Sequence, residues 1–197
     1  MANANRPTGL SPVKHITGAP FNGQANLYCI LAADTNGYAI GDPVVSAAGG
    51  ADAGGIPAVT LGAATGALRG VIVGVFDTKA IAKIGNPDSI VRPAAAQTKD
   101  WYVLVADSPD LVFEVQEVGT GTPLAAADVG LNTNFVVGTN NGFVSGWTLD
   151  NATELGTATL QAKILGLAQR ADNVVGQYAK WLVKINNHEL GNVTAGV

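Results

Sequence analysis

Tyr178-Ala179-Lys180-Trp181-Leu182-Val183-Lys184-Ile185 is the stretch that decides the fold class. Successive side chains of a strand leave opposite faces, so Ala179, Trp181, Val183 and Ile185 form one apolar row, while Lys180 and Lys184 point the other way. The same alternation recurs upstream. Trp101, Val103 and Val105 alternate in WYVLVAD, and Leu111, Phe113 and Val115 oppose Glu114 and Gln116 in LVFEVQEV. Ser108-Pro109-Asp110 between these two runs reads as a turn, which predicts a hairpin. Further strands are predicted at 27–32, 43–46, 56–61, 69–76, 135–137, 143–149 and 159–167. Gly, Asn, Asp and Pro separate them at the spacing of a sandwich or barrel. Helix signals are confined to Thr122-Pro123-Leu124-Ala125-Ala126-Ala127-Asp128, a short turn that Gly130 could end. Two Gly-rich stretches, Gly49 to Gly55 and Gly62 to Gly66, read as a flexible tip and a loop. The predicted fold is therefore all-β: one sandwich/barrel domain, jelly-roll-like, over residues 26–197, with little helix.

Residues 1–25 read differently. Pro7, Pro12 and Pro20, interspersed with Gly9, Gly18 and Gly23, exclude both helix and central strand, because proline fixes φ and lacks a backbone donor. The segment carries Arg6 and Lys14 and no acidic residue before Asp34. Leu10, Val13, Ile16 and Phe21 give it spaced apolar anchors. It reads as an extended N-terminal arm that becomes ordered along a partner. A floppy terminus is the competing reading.

Composition narrows the function. Of 197 residues, 47% are hydrophobic and only 13% charged, against about 25% charged in ordinary domains. Small neutral residues, 25 of them glycine, must cover much of the exterior, which suits a protein packed against neighbours. The net charge of -4 and the absence of any Lys/Arg stripe argue against nucleic acid as a partner. No apolar run approaches the roughly 18 residues of a membrane span, and the N-terminus lacks an apolar signal core. A soluble protein made in a cytoplasm is expected. Cys29, within an apolar run, reads as a small buried hydrophobe.

Catalytic patterns are weak. The stretch from Gly62 to Gly70 lacks the Gly-Lys-Ser/Thr ending of a phosphate-binding loop, and no Gly-x-Ser-x-Gly elbow occurs. His15 and His188 are the only histidines. On a strand, His188 and Glu189 would point to opposite faces, a poor start for a metal site. Asp77, Asp110, Glu114, Glu117 and Asp172 could pair as acid and base only if the fold brings two together. Asn151-Ala-Thr153 and Asn192-Val-Thr194 match the glycosylation triplet, which matters only in a secretory pathway. No catalytic residue, cofactor or metal is assigned, and the chain is read as a non-enzyme.

The opening Met-Ala-Asn-Ala-Asn5-Arg-Pro-Thr-Gly-Leu10-Ser-Pro-Val-Lys, continued by Gly18-Ala-Pro20-Phe-Asn-Gly23-Gln, resembles the head decoration (cement) proteins of tailed, especially short-tailed, bacteriophages. The similarity runs on through Phe113-Glu-Val-Gln-Glu117, Ala127-Asp-Val-Gly130 and Arg170-Ala-Asp-Asn173 to Ile185-Asn-Asn-His188. The resemblance implies a β-sandwich or barrel on the outer surface of the capsid in the virion, bound where major capsid protein subunits meet, as a homodimer or homotrimer. On that expectation Arg6, Pro7, Leu10, Pro12, Val13 and Phe21 of the arm grip the capsid. The alternative is a receptor- or glycan-binding module of a phage fibre or spike, with Trp147 as the exposed sugar platform and Trp101 and Trp181 in the core.

Overall fold

The computed structural model describes residues 3–79 and 90–191. In chain order the first strands are β1 (Ser11–His15), β2 (Asn26–Ile30), β3 (Tyr38–Ala39), β4 (Pro43–Ala51) and β5 (Pro57–Leu61). They are followed by β6 (Gly70–Phe76), β7 (Val91–Arg92), β8 (Trp101–Ala106) and β9 (Leu111–Gln116). The last are β10 (Asn132–Thr133), β11 (Phe135–Val136), β12 (Thr148–Leu149), β13 (Ala162–Leu167) and β14 (Lys180–Ile185). The fold is all-β. A closed barrel in the order β2-β5-β4-β6-β8 stands beside a five-stranded sheet in the order β1-β9-β14-β13-β10. The remaining strands form two short pairs, β3-β7 and β11-β12.

Alternation builds both layers. Tyr28 and Ile30 of β2 and Trp101, Val103 and Val105 of β8 pack together with Val44, Val59, Ile72 and Val75 in one core. The other face of the same two strands carries Cys29 and Tyr102, which meet Ala58 in a smaller cluster. In β14, Trp181, Val183 and Ile185 are buried as predicted, in a second core shared with Leu111, Phe113, Val115 and Ile164. Lys180 and Lys184 lie on the opposite face, 3.4 Å from Glu114 and 3.7 Å from Asp110. Leu68, Val71 and Ala106 of the barrel enter this second core, so apolar burial joins barrel to sheet.

The predicted hairpin is corrected. β8 has both edges filled, by β2 and β6, and β9 has both filled by β1 and β14. Almost every residue of the two strands is buried, so each needs cover on both faces, and two layers supply it. Ser108-Pro109-Asp110 does turn the chain, with Leu111 N–H donating to the Ser108 carbonyl at 3.2 Å. It turns the chain out of the barrel and into the sheet.

Smaller differences have local causes. The stretch expected as a flexible tip continues β4 to Ala51, and Asp52 then organises the turn. Its Oδ1 accepts from Gly54 and Ile56 N–H at 2.8 Å each, and its Oδ2 from the Tyr102 hydroxyl at 2.9 Å. Of the predicted strand 143–149, Thr148–Leu149 forms β12 and Val144 makes an isolated bridge to Ile40. Before it, Asn141 Oδ1 caps a turn by accepting from Phe143 and Val144 N–H, both at 3.0 Å. The expected short helix is a single 3-10 turn, Ala126–Asp128, closed by Ala125 N–H donating to Asp128 Oδ2 at 2.7 Å. The loop from Gly62 to Gly66 is tied by Gln161, whose Nε2 donates to the Ala63 carbonyl at 2.9 Å.

The first 25 residues do not stand apart as an arm. β1 adds to the edge of the sheet, antiparallel to β9, with Val13 as a bulge between Pro12 and Lys14. An edge tolerates Pro12 because its missing N–H faces away from the neighbour. Phe21 N–H then donates back to the Val13 carbonyl at 3.0 Å, which covers part of the outer edge. Leu10 is 1% exposed and belongs to the second core, and Phe21 packs against it. The segment folds inward because Gly9 and Gly41 let two backbones meet: Leu10 N–H donates to the Gly41 carbonyl at 3.0 Å.

Candidate functional site

Residues 3–8 precede β1 and lie along the loop that connects β13 to β14. Asn3 stitches the two together. Its Nδ2 donates to the carbonyls of Val174 at 2.8 Å and Gln177 at 3.0 Å, and its Oδ1 accepts from Val174 N–H at 3.0 Å. Gln116, at the end of β9, holds the next turn of chain: its Oε1 accepts from Arg6 N–H at 2.7 Å and its Nε2 donates to Asn5 Oδ1 at 2.9 Å. Asn173 clasps the loop itself. Its Nδ2 donates to the carbonyls of Ala168 and Lys180, and its Oδ1 accepts from Lys180 N–H, all at 2.8 Å.

Between these walls runs a cleft of about 340 Å³, bordered by Asn3, Arg6, Thr8, Arg170, Tyr178 and Lys180 among others. Tyr178 sits in the left-handed region at φ 62°, uncommon for a bulky residue. Its ring lies so close to Gly119 that a Cβ there would fall 1.9 Å from it, so the missing side chain at 119 leaves room for the tyrosine. Three cations line the cleft, and two are partnered. Arg170 Nη1 is 2.9 Å from Glu114 Oε1 and its Nε 3.1 Å from Asp172 Oδ1, while Lys180 also reaches Glu114. The Asp172 hydrogen bond, then the Glu114 charge, raises the Arg170 pKa, and Arg170 in turn lowers that of Asp172. Arg6 is exposed and makes no ion pair among the described residues. Val174 and Val175 stand about half exposed beside the cleft.

Of the six residues expected to grip a partner, Arg6 lines this cleft, and Pro7, Pro12 and Val13 lie at the surface or partly so. Leu10 and Phe21 are corrected: they hold the segment to its own domain. Trp147, expected as an exposed sugar platform, is 0% exposed and lies in the second core. Trp101 and Trp181 are buried as expected. What the sequence reading missed was the part played by Arg170 and Asn173. Both occur in a resembling motif, but only the fold shows that this motif builds a loop facing residue 3.

Other constellations are spent on structure. A hollow of about 390 Å³ is lined by His15, Asn26, Asp107 and Ser108, but Asp107 already accepts from Asn26 Nδ2 at 2.8 Å and the Tyr28 hydroxyl at 2.5 Å. Among the five carboxylates considered as acid and base, Asp77 pairs with Lys99 and Asp110 with Lys184. Glu114 and Asp172 both form ion pairs with Arg170. Glu117 lies in the core, its Oε2 accepting from the Trp181 indole N–H at 2.8 Å. His188 is buried, its Nδ1 accepting from Leu190 N–H at 3.0 Å, while Glu189 turns to Arg69 at 2.7 Å. No group of three or more His, Cys, Asp or Glu gathers in a metal-binding arrangement among the described residues. Cys29 is fully buried, with Sγ 3.3 Å from the Ile56 carbonyl. Asn151 is buried and donates to the Val118 carbonyl, out of reach of glycosylation in the folded chain. The second triplet, 192–194, lies outside the described residues.

Among known proteins the chain matches no family model, no curated sequence and no solved structure.

Proposed function

We propose that this is a structural, non-enzymatic protein of the bacteriophage decoration type, which binds the outer surface of the head and braces contacts between major capsid protein subunits, as a dimer or trimer of its own. One observation carries the reading. The opening motif and the Arg170-Ala-Asp-Asn173 motif, both part of the resemblance, are far apart in sequence and joined by hydrogen bonds around one cleft. That cleft presents Arg6, which makes no ion pair among the described residues, on a chain of net charge -4, flanked by half-exposed valines. Such a surface suits a carboxylate-bearing, partly apolar segment of a capsid subunit. A brace of this kind adds interface that must break before subunits part, and shell symmetry multiplies each small contribution.

The test is cosedimentation of the purified protein with DNA-filled heads stripped of it. Wild type should pellet with the heads. Arg6→Glu should bind about tenfold more weakly, as expected when one complementary charge is reversed, whereas Lys99→Glu, on the barrel, should bind as wild type. Failure of the wild-type protein to bind, or its presence in virions only in the few copies typical of fibres, overturns the reading.

A further inference from the structure

The sequence contains three Asn-Gly pairs, Asn22-Gly23, Asn36-Gly37 and Asn141-Gly142. The chemistry open to such a pair is intramolecular. The backbone nitrogen of the glycine, once it loses its proton to water or hydroxide, attacks the asparagine side-chain carbonyl carbon. A C–N bond forms, ammonia leaves, and a five-membered succinimide results. Water then opens either carbonyl of that ring to give aspartate or isoaspartate. Glycine favours the reaction because it has no side chain to hinder closure and reaches many backbone angles. A folded chain permits it only where the attacking nitrogen is free and the asparagine can turn towards it.

The three pairs differ in both respects. At Asn141-Gly142 the side chain is held by two backbone donors, Phe143 and Val144, at 3.0 Å each, and Gly142 N–H is engaged by Asn140 Oδ1 at 3.2 Å. At Asn36-Gly37 the backbone is pinned from both ends. Asn36 N–H donates to Asp34 Oδ1 at 2.7 Å, its carbonyl accepts from the buried guanidinium of Arg92, and Gly37 is walled in by Ala94 and Arg92. Asn22 and Gly23 are both exposed. Neither the Asn22 side chain nor the Gly23 N–H has a hydrogen-bond partner among the described residues, and a Cβ built on Gly23 meets nothing within 4 Å.

We infer that Asn22 is a site of spontaneous deamidation in the folded protein, while the other two pairs are protected by the fold. The product places a carboxylate in a stretch that otherwise has none before Asp34, and the isoaspartate form adds one backbone carbon just after Phe21, which packs on the second core. The inference does not depend on the proposed capsid role.

The experiment incubates the full-length native protein at pH 8 and follows each Asn-Gly peptide by mass spectrometry over time, with a urea-unfolded sample in parallel. Asn22 should gain the amide-to-acid mass shift about tenfold faster than Asn36 or Asn141 in the native protein, since each of those must first give up hydrogen bonds of ordinary strength. In urea the three rates should converge. Asn22→Gln should abolish the main acidic charge variant seen on isoelectric focusing. Deamidation of Asn36 or Asn141 as fast as Asn22 in the native state, or native Asn22 slowed as much as the other two relative to urea, overturns the inference.

Discussion

Glu117 and Asp42 are carboxyls that the fold has withdrawn from water. Glu117 Oε2 accepts from Trp181 and from Leu124 N–H at 3.3 Å, and Oε1 has no partner among the described residues. Burial pushes the Glu117 carboxyl up to about 7 and that of Asp42 up to about 6. Each therefore holds a proton more tightly folded than unfolded. Their stabilisation is complete below the unfolded value, near pH 4, and is lost as the pH rises through the raised ones. His188 acts in the opposite sense: burial lowers its pKa, so the folded protein loses stability as the pH falls below the ordinary histidine value. Glu117→Gln keeps an acceptor for the indole and removes the titration. The drop in stability between pH 5 and pH 8, measured by urea unfolding, should shrink by about 1–3 kcal/mol. An unchanged drop would show that Glu117 does not titrate there. Leu10 and Arg6 make a second residue-scale contrast. Leu10→Ala should cost about 2–5 kcal/mol in thermal or urea unfolding because it empties part of the core, whereas Arg6→Ala should stay within about 0.5 kcal/mol. Trp181 and Cys29 could be placed from sequence because their neighbours alternate or run apolar. Leu10 and Trp147 could not, because each follows a glycine in a stretch without clear alternation, and much of what buries it comes from far along the chain.

Strands were easier to read than their partners. The alternation in β8, β9 and β14 follows from the two-fold repeat of a pleated chain, which needs only local residues. Pairing follows from which edges remain open, and no local pattern in β8 or β9 reveals that each already has two neighbours. The segment that contains β1 shows the same limit. Its prolines excluded a central strand and suggested a free arm, yet part of it pairs as an edge strand. What seats it is the close approach of Gly9 and Gly41, at φ 65° and 93°. A Cβ on Gly41 would lie 2.3 Å from the Thr8 carbonyl oxygen, so Gly41→Ala must push residues 8–10 outward. Hydrogen exchange at the Leu10 amide should then accelerate about tenfold or more, as local opening becomes cheaper, while the Val103 amide in the barrel stays slow. Equal acceleration at both would point to global loss of stability instead.

Across the whole molecule, the layers divide the chain unevenly. Every strand of the barrel lies between Asn26 and Ala106, whereas the sheet takes β1 from one side of that stretch and β9, β10, β13 and β14 from the other. Removing residues 2–20 would therefore strip an edge from β9 and Leu10 from the core. The truncated protein should aggregate on size-exclusion chromatography and unfold without a sharp transition. A monodisperse, cooperatively unfolding product would mean that β1 is dispensable. The cleft depends on the same long-range closure, which is why its basic residues gave no sequence signal as a group.

The central place of β14 in the sheet also fixes an order of events during translation. The barrel can close once Ala106 has emerged, but β9 lacks its inner neighbour until Ile185 is made, roughly 4–16 s later at about 5–20 residues per second. Through that interval the segment that carries Leu10 and Phe21 has no finished layer to join. It is open to chaperones until Ile185 has been made.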